Sequence, residues 1–462
     1  MKDLNDSRKA EVLALRDTYL KMSRTPIDQL DLSLRNELAQ LVRHSVNTSQ
    51  WWRNRLKDAN LNASTMQELV SCLPITSRSD VQDNFEEMKI YIPKTDLKDY
   101  ILQKTTGSTG KPIQVIKFNP LYSRDIDAIT LLEWNWHKRD VRKKMGLFRL
   151  GANDTDEVRA GPPLEYLGDA SPMFQRSSVD RTTDELLEAL VQHQPSYLLT
   201  NPMSLRMVAK AQLEQPRNIA PIEQILTLAD RVDDSLRELV KEAFGAKIVD
   251  RYSSVEFGMI ALQCPEHNHL HVIVPNVHLE VVDEKNKPVP IGEPGRVLIT
   301  GLHNFAMPLF RYEQGDIVTL GKSCDTGITW PVIESVHGRV RSYIDGPNGE
   351  RKLLTLFTAD FLLMREIQDF RLVKFNDEAV FIAQTREKLD QEQKSRIVKS
   401  LQNDVFRGEV KIRILTQREN LRTPKWKVRE IYLLDMKSDP NWKIEDIEKL
   451  LEETEFDESS GR

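Results

Sequence analysis

Residues 105–112 read Thr105-Thr106-Gly107-Ser108-Thr109-Gly110-Lys111-Pro112. Small residues let backbone N–H groups come close to an anion, hydroxyls add donors, and Lys111 brings a mobile positive charge. That combination suits a polyphosphate. The spacing is not that of the common nucleotide P-loop. That loop needs four residues between its first glycine and Gly-Lys, then Ser or Thr for magnesium. Here only Ser108 and Thr109 separate Gly107 from Gly110, and Pro112 follows Lys111. The flanks Tyr100-Ile101-Leu102 and Ile113-Gln114-Val115-Ile116 predict strands, so the loop joins two strands instead of opening a helix. The alternative is a flexible Gly/Ser/Thr surface turn.

Two further stretches carry chemical potential. Asp250 to Gly258 offers an aromatic ring, hydroxyls and a carboxylate: Tyr252, Ser253, Ser254 and Glu256. Glu256 could hold magnesium and Tyr252 could stack on a base; the alternative is an ordinary acidic turn at a strand end. Next, Cys264-Pro265-Glu266-His267-Asn268-His269-Leu270-His271 gathers one thiol and three imidazoles, the donor types zinc prefers. A strand with alternating solvated histidines is the competing reading.

The elements that must position these residues follow from pattern. Residues 1–95 read as a charged helical leader in which Trp51, Trp52, Leu56 and Leu61 pack. Thr182-Thr183-Asp184-Glu185 is a capping box before Leu186, Leu187, Leu190 and Val191 on one helical face. Tyr197-Leu198-Leu199 predicts a strand, and Asn201-Pro202 starts a helix through Leu205, Val208 and Ala209. Ile225 to Leu228 predicts the next strand. Asp233 or Asp234 caps a helix carrying Leu236, Leu239, Val240 and Phe244, which Gly245 ends before the strand Lys247-Ile248-Val249. Strands alternating with helices predict a parallel sheet covered on both faces, with ligands outside its carboxyl edge. Beyond about residue 341 the pattern becomes α+β. A hairpin turns at Asn376-Asp377-Glu378, a charged helix runs from about Leu389 to Val405, and Val410 to Leu415 is a strand. The acidic tail from Ile444 predicts a short amphipathic helix and then disorder. The fold class is therefore α/β, with a large unit over 1–340 and a small α+β unit over 341–462.

The net charge of −5 gives no general attraction to nucleic acid or an anionic membrane surface. No apolar run of about 18 residues predicts a membrane span. The start Met1-Lys2-Asp3-Leu4 lacks the apolar core of a signal peptide, and Cys72, Cys264 and Cys324 make no disulfide framework, so a cytoplasmic home is expected.

Taken in order, the landmarks resemble the adenylate-forming superfamily of acyl-CoA synthetases, adenylation domains and luciferases, and within it the phenylacetate–CoA ligase and capsular-polysaccharide branch. Thr105 to Pro112 is similar to its phosphate loop. Ala229-Asp230 falls where the superfamily has Ala-Glu beside adenine. Tyr252 to Glu256 is similar to its Tyr-Gly-x-Thr/Ser-Glu motif. Thr300-Gly301-Leu302, Ala306 to Tyr312 and Gly315-Asp316-Ile317 resemble the stretch whose aspartate binds ribose. Gly338-Arg339 resembles the pair before the interdomain hinge, and Lys425 falls near the catalytic lysine of the C-terminal lid.

The resemblance implies a large adenylate-forming domain and a small lid domain. It also implies ATP and magnesium as cofactors, with Lys111, Glu256 and Lys425 catalytic. A carboxylic acid would be activated as an acyl-adenylate and passed to coenzyme A or to an amine or other nucleophile. A homodimer is implied as well. Some relatives place cysteines just before the Gly-Arg pair; Cys324 stands there, so the implied zinc set is Cys264, Cys324, His271 and one of His267 or His269. Departures support a second reading, a nucleotide-binding assembly or regulatory protein that has lost catalysis. Ser253 replaces the motif glycine, Val255 a hydroxyl residue, Arg341 and Ser342 acidic hinge residues, and Pro424 the glycine before Lys425, with Lys427 as a rival lysine. Trp134, Trp136, Phe148 and Tyr197 are candidates either for the acid pocket or for the core.

Overall fold

A computed structural model describes residues 2–57, 59–104, 113–149, 152–160, 163–178, 180–228, 232–339, 343–345, 351–353, 367–375, 378–385, 388–402, 411–417 and 431–433. Six helices between Lys2 and Met88 build the leader. Trp52 is fully buried at their base, edge-on to Phe310 at 4.8 Å, which ties the leader to the chain's middle.

The predicted strand–helix alternation forms a six-stranded sheet. Its order is Thr155–Val158, Met173–Ser177, Met145–Arg149, Tyr197–Thr200, Gln224–Thr227, Lys247–Val249, parallel except at the Thr155–Val158 edge. The helix boundaries follow the caps. Thr182 and Glu185 form a reciprocal capping box on Thr183–His193. Asn201 Oδ1 accepts from Ser204 N at 2.8 Å to start Pro202–Glu214. Asp233, not Asp234, caps Asp234–Phe244, and Gly245 ends it at φ 65°, a conformation that favours glycine. Leu186, Leu187 and Leu190 are buried as the periodicity requires. Val191, grouped with them, is exposed, because the apolar face is narrower than the pattern suggests.

After Lys247–Val249 the chain leaves this sheet. Asp250 is the corner. It accepts a 2.7 Å hydrogen bond from the Thr227 hydroxyl, and Gln263 Oε1 accepts from its backbone N–H at 2.9 Å. Arg251–Ser254 then opens a seven-stranded antiparallel sheet that no residue pattern had indicated. Its order is Val277–Val282, Pro294–Gly301, Tyr312–Leu320, Val332–Arg339, Leu270–Val272, Gly258–Gln263, Arg251–Ser254. Buried residues of this sheet, the leader and the helix Asn119–Trp136 share one core, while the parallel sheet and its helices hold another. Trp134, Phe148 and Tyr197 are core residues of the parallel sheet, and Trp136 belongs to the first core.

Toward the C-terminus, Lys411–Gln417, Glu378–Thr385, Ile367–Phe375 and Ile431–Leu433 form a mixed four-stranded sheet with the helix Gln391–Ser400, capped by Asp390. The hairpin residues Asn376 and Asp377 and the acidic tail lie outside the described residues.

Candidate active site

Strands Tyr100–Lys104 and Gln114–Phe118 pair antiparallel, with Lys104 opposite Gln114, so the loop 105–112 does join two strands. The loop itself, Ala229, Asp230, Lys425 and Lys427 lie outside the described residues. Ile113 and Val115 are fully buried and anchor the second strand.

The seven-stranded sheet brings the other motif residues together by curling. Arg251–Ser254 and Tyr312–Leu320 are four strand spacings apart in the order, which would be about 19 Å in a flat sheet at ~4.8 Å per strand. Yet the Tyr252 hydroxyl donates to Asp316 Oδ2 at 2.7 Å. Both residues are nearly buried, each 8% exposed. Four residues before Asp316 on the same strand, the Tyr312 hydroxyl donates to Glu256 Oε1 at 3.3 Å. In register, Arg339 lies directly across from Asp316 on the neighbouring strand. Arg311, in the same motif, does not reach this site. Its guanidinium is held bidentate by Glu280 at 2.9 and 3.0 Å.

Glu256 sits in the turn between Arg251–Ser254 and Gly258–Gln263. Ser254 Oγ accepts from Phe257 N at 3.2 Å, and Asn276 Nδ2 donates to the carbonyls of Phe257 and Met259, so the turn is pinned at both ends. Gly258 takes φ 70°, and a Cβ there would lie 2.8 Å from Ile126 Cδ1. Only glycine lets the helix Asn119–Trp136 press so closely on the turn. That helix is locked to the sheet by a buried charge cluster: Arg251 and Arg139 both engage Glu133. Burial opposes the Glu133 charge, but the two guanidinium groups hold its carboxyl down at about 2.

A cavity of about 40 Å³ lies between the helix start and the turn. Lys117, Tyr122, Glu256, Asn276 and His303 are among its walls. Lys117 is 2% exposed and finds no hydrogen-bond acceptor among the described residues; its Nζ lies 3.9 Å from the Tyr122 ring centre. Burial draws its ammonium down to about 7, against a weaker pull upward from Glu256. On the opposite wall His303 Nδ1 is 2.9 Å from Asp125 Oδ2, off the hydrogen-bond line but well placed for an ion pair, and its Nε2 is 3.6 Å from Glu37. Burial would lower this imidazole, yet the two carboxylates raise it to about 9. Lys117 and His303 escaped the sequence reading. Lys117 shares a strand face with the apolar Ile113 and Val115, where its charge was the one available signal. A larger, shallow groove at Asp154, Arg176 and Arg181 is closed by its own ion pairs.

The cysteine–histidine stretch folds as a knuckle, with Cys264 N donating to His269 O at 2.9 Å. Ligand atoms of Cys264, His269, His271 and Cys324 all lie within 4.8 Å of one another. The two sulfurs are 3.8 Å apart. Two thiolates on one tetrahedral zinc, each ~2.3 Å from it, would be about 3.8 Å apart. His271 Nδ1 donates to the Trp330 carbonyl at 3.1 Å, leaving its buried Nε2, like that of His269, without a hydrogen bond. His267 instead points to Asp325 at 2.7 Å and stands outside the four.

A family model for AMP-binding enzymes matches residues 167–307. Among curated proteins, phenylacetate-coenzyme A ligase of Thermus thermophilus is 22% identical over 327 residues, 68% of this chain and 71% of its own. The Pseudomonas putida enzyme of the same name is 23% identical over 318 residues, 65% of this chain and 68% of its own. Among solved structures, 2-hydroxyisobutyryl-CoA ligase in the postadenylation state with 2-HIB-AMP superposes with TM-score 0.73 at 14% identity, covering 94% of each chain. An anthranilate CoA ligase in complex with anthranoyl-AMP does so with TM-score 0.53 at 17% identity, covering 70% of this chain and 63% of its own. Motif order, the AMP-binding match over 167–307 and the fold all point the same way: the chain is similar to adenylate-forming enzymes, the phenylacetate–coenzyme A ligases among them.

Proposed function

We propose that this protein is an AMP-forming acid ligase that activates a carboxylic acid with ATP and passes the acyl group to coenzyme A. The observation that carries this reading is the convergence of Tyr252 on Asp316 and of Tyr312 on Glu256 across one curled sheet. A carboxylate is a poor electrophile. Attack of its oxygen on the α-phosphorus of ATP releases pyrophosphate and leaves an acyl-adenylate, from which AMP departs readily when a thiol attacks. In this reading Asp316, held by Tyr252, accepts from ribose hydroxyls, and Ser253, Ser254, Ala229, Asp230 and Arg339 complete the nucleotide site. Thr105, Thr106, Gly107, Ser108, Thr109, Gly110 and Lys111 take the phosphates. Glu256 would hold magnesium, which offsets charge as the phosphoryl group transfers. Lys425 would close over the reacting carboxylate. Amines as alternative acceptors, a homodimer and a cytoplasmic home remain part of the proposal. No helix among the described residues is long and apolar enough to cross a membrane. The test is carboxylate-dependent exchange of labelled pyrophosphate into ATP over an acid panel, followed by thioester formation with coenzyme A. Nucleotide binding with no exchange for any acid would instead favour the non-catalytic reading.

We infer also that Cys264, His269, His271 and Cys324 hold a zinc ion, which supplies a cross-link and no chemistry to the ligase reaction. The sulfur spacing and the two free Nε2 atoms support it. Close to one equivalent of zinc in purified protein is expected, lost on Cys264→Ser; below about 0.2 equivalents the assignment fails.

A further inference from the structure

Among the described residues, the Lys117 amine has no counter-ion. No carboxylate oxygen among the described residues lies within ion-pair distance of its Nζ, although Glu256 lines the same cavity. Asp125 across the cavity is already engaged by His303 and by Arg124, whose Nη2 is 2.8 Å away. Burying an ammonium with only an aromatic face beside it is costly, and an unsatisfied buried group calls for a functional reason. The wall sets apolar side chains from Phe118, Ile126, Phe257 and Leu302 beside polar ones from Asp125, Glu256, Asn276, His303 and Asn304. A cavity of about 40 Å³ exceeds the ~10–15 Å³ that one water needs, and is about the size of a carboxylate group. Asp125 and His303 answer each other across this wall, which leaves the Lys117 amine, beside apolar side chains, as the group able to receive an anion at the far end of a carbon chain.

We propose that the acid accepted here bears a second anionic group, a second carboxylate, and that Lys117 receives it. This inference rests on the ligase reading. It makes Lys117 a specificity residue that acts on the substrate's distal end, while Glu256 and the loop 105–112 serve the phosphates. A dicarboxylate would place one carboxylate at the α-phosphorus and the other against Nζ, with Tyr122 stacked beside the ammonium. A monocarboxylate of the same length would leave the cation buried and unmatched, and would be disfavoured for that reason.

The test compares glutarate and phthalate with their monoamides, glutaramate and phthalamate. Full-length wild type, Lys117→Met and Lys117→Arg are each followed by pyrophosphate exchange. In wild type the dicarboxylates should exceed their monoamides at least tenfold in kcat/KM. Lys117→Met should erase that preference by losing the dicarboxylates while keeping or improving the monoamides, and Lys117→Arg should keep part of it. Wild type that prefers the monoamides overturns the proposal. So does a Lys117→Met protein that loses both classes alike, which would place Lys117 at the reacting carboxylate. If no acid supports exchange, the ligase reading fails separately, and calorimetric binding of the same four acids decides this inference. Dicarboxylate binding that depends on Lys117 sustains it, and equal or absent binding in wild type and Lys117→Met ends it.

Discussion

His303 offers a stability test that needs no substrate. It lies between Asp125 and Glu37, and its side chain is 24% exposed. Its protonated form is held to about 9 against an ordinary 6.5. The folded protein thus binds this proton more tightly than the unfolded chain. The stabilisation is full below about 6.5 and is lost as pH rises through about 9. At about 1.4 kcal/mol per tenfold in proton affinity, the whole effect is about 3 kcal/mol. The coupling belongs to the His303–Asp125–Glu37 group and is counted once. Lys117 works in the opposite direction. Its folded value, about 7, lies below its ordinary 10.5, so its penalty fades as pH rises over that span. Wild-type stability alone can therefore look flat, and the comparison must be with a variant. Urea unfolding of wild type and His303→Gln at pH 6, 7, 8 and 9 supplies it, read on the transition that includes the helix Asn119–Trp136. The difference in unfolding free energy should be largest at pH 6, about 3 kcal/mol, and shrink toward zero by pH 9–10. A difference that stays constant across this span would refute the ion-pair account and reduce His303 to a packing residue.

Asp316→Ala should raise the KM for ATP roughly tenfold, since a charge-assisted bond to a hydroxyl contributes about 1.5–3 kcal/mol. An earlier melt with KM unchanged would make it a structural turn residue. Tyr252→Phe should weaken ATP binding severalfold with kcat nearly intact, because it removes an orienting donor and not the carboxylate; equal loss in kcat would contradict that role. Glu256→Gln should lower the exchange rate far more than ATP affinity, by roughly 100-fold if it removes a transition-state contact of about 3 kcal/mol; unchanged turnover across a magnesium titration would refute it. Lys425→Ala should abolish acyl-adenylate formation yet spare thioester formation from supplied acyl-adenylate, with Lys427→Ala nearly silent, and the reverse pattern would move the role to Lys427.

The parts legible in the sequence were those governed by local rules. Thr182, Asn201 and Asp233 cap helices because a side-chain oxygen must meet free N–H groups one turn on, and that requirement is written in adjacent residues. The parallel sheet followed, since helices spaced between buried strands leave few other arrangements. The seven-stranded sheet was not legible. Its register depends on pairings such as Leu270 with Ile333 and Val277 with Gly301, and no local signal fixes which distant strand is the neighbour. The site inherits that division. Motifs pointed to Glu256 and Asp316, but the hydrogen bonds these carboxylates accept from Tyr312 and Tyr252 depend on the curl of the sheet. Choosing His269 over His267 for the proposed zinc set depended likewise on the turn at Cys264, which directs one ring inward and leaves the other to Asp325. Lys117 was the least visible of all. Alternation puts it on the face of Ile113 and Val115, both fully buried, where a lysine is unexpected, and among the described residues it is left there with no hydrogen-bond acceptor. A buried amine in that state is relieved by losing its proton as pH rises past about 7, or by an anion that binds to it. Under the proposal of a dicarboxylate substrate the second of these operates, and the comparison of Lys117→Met with wild type separates the two.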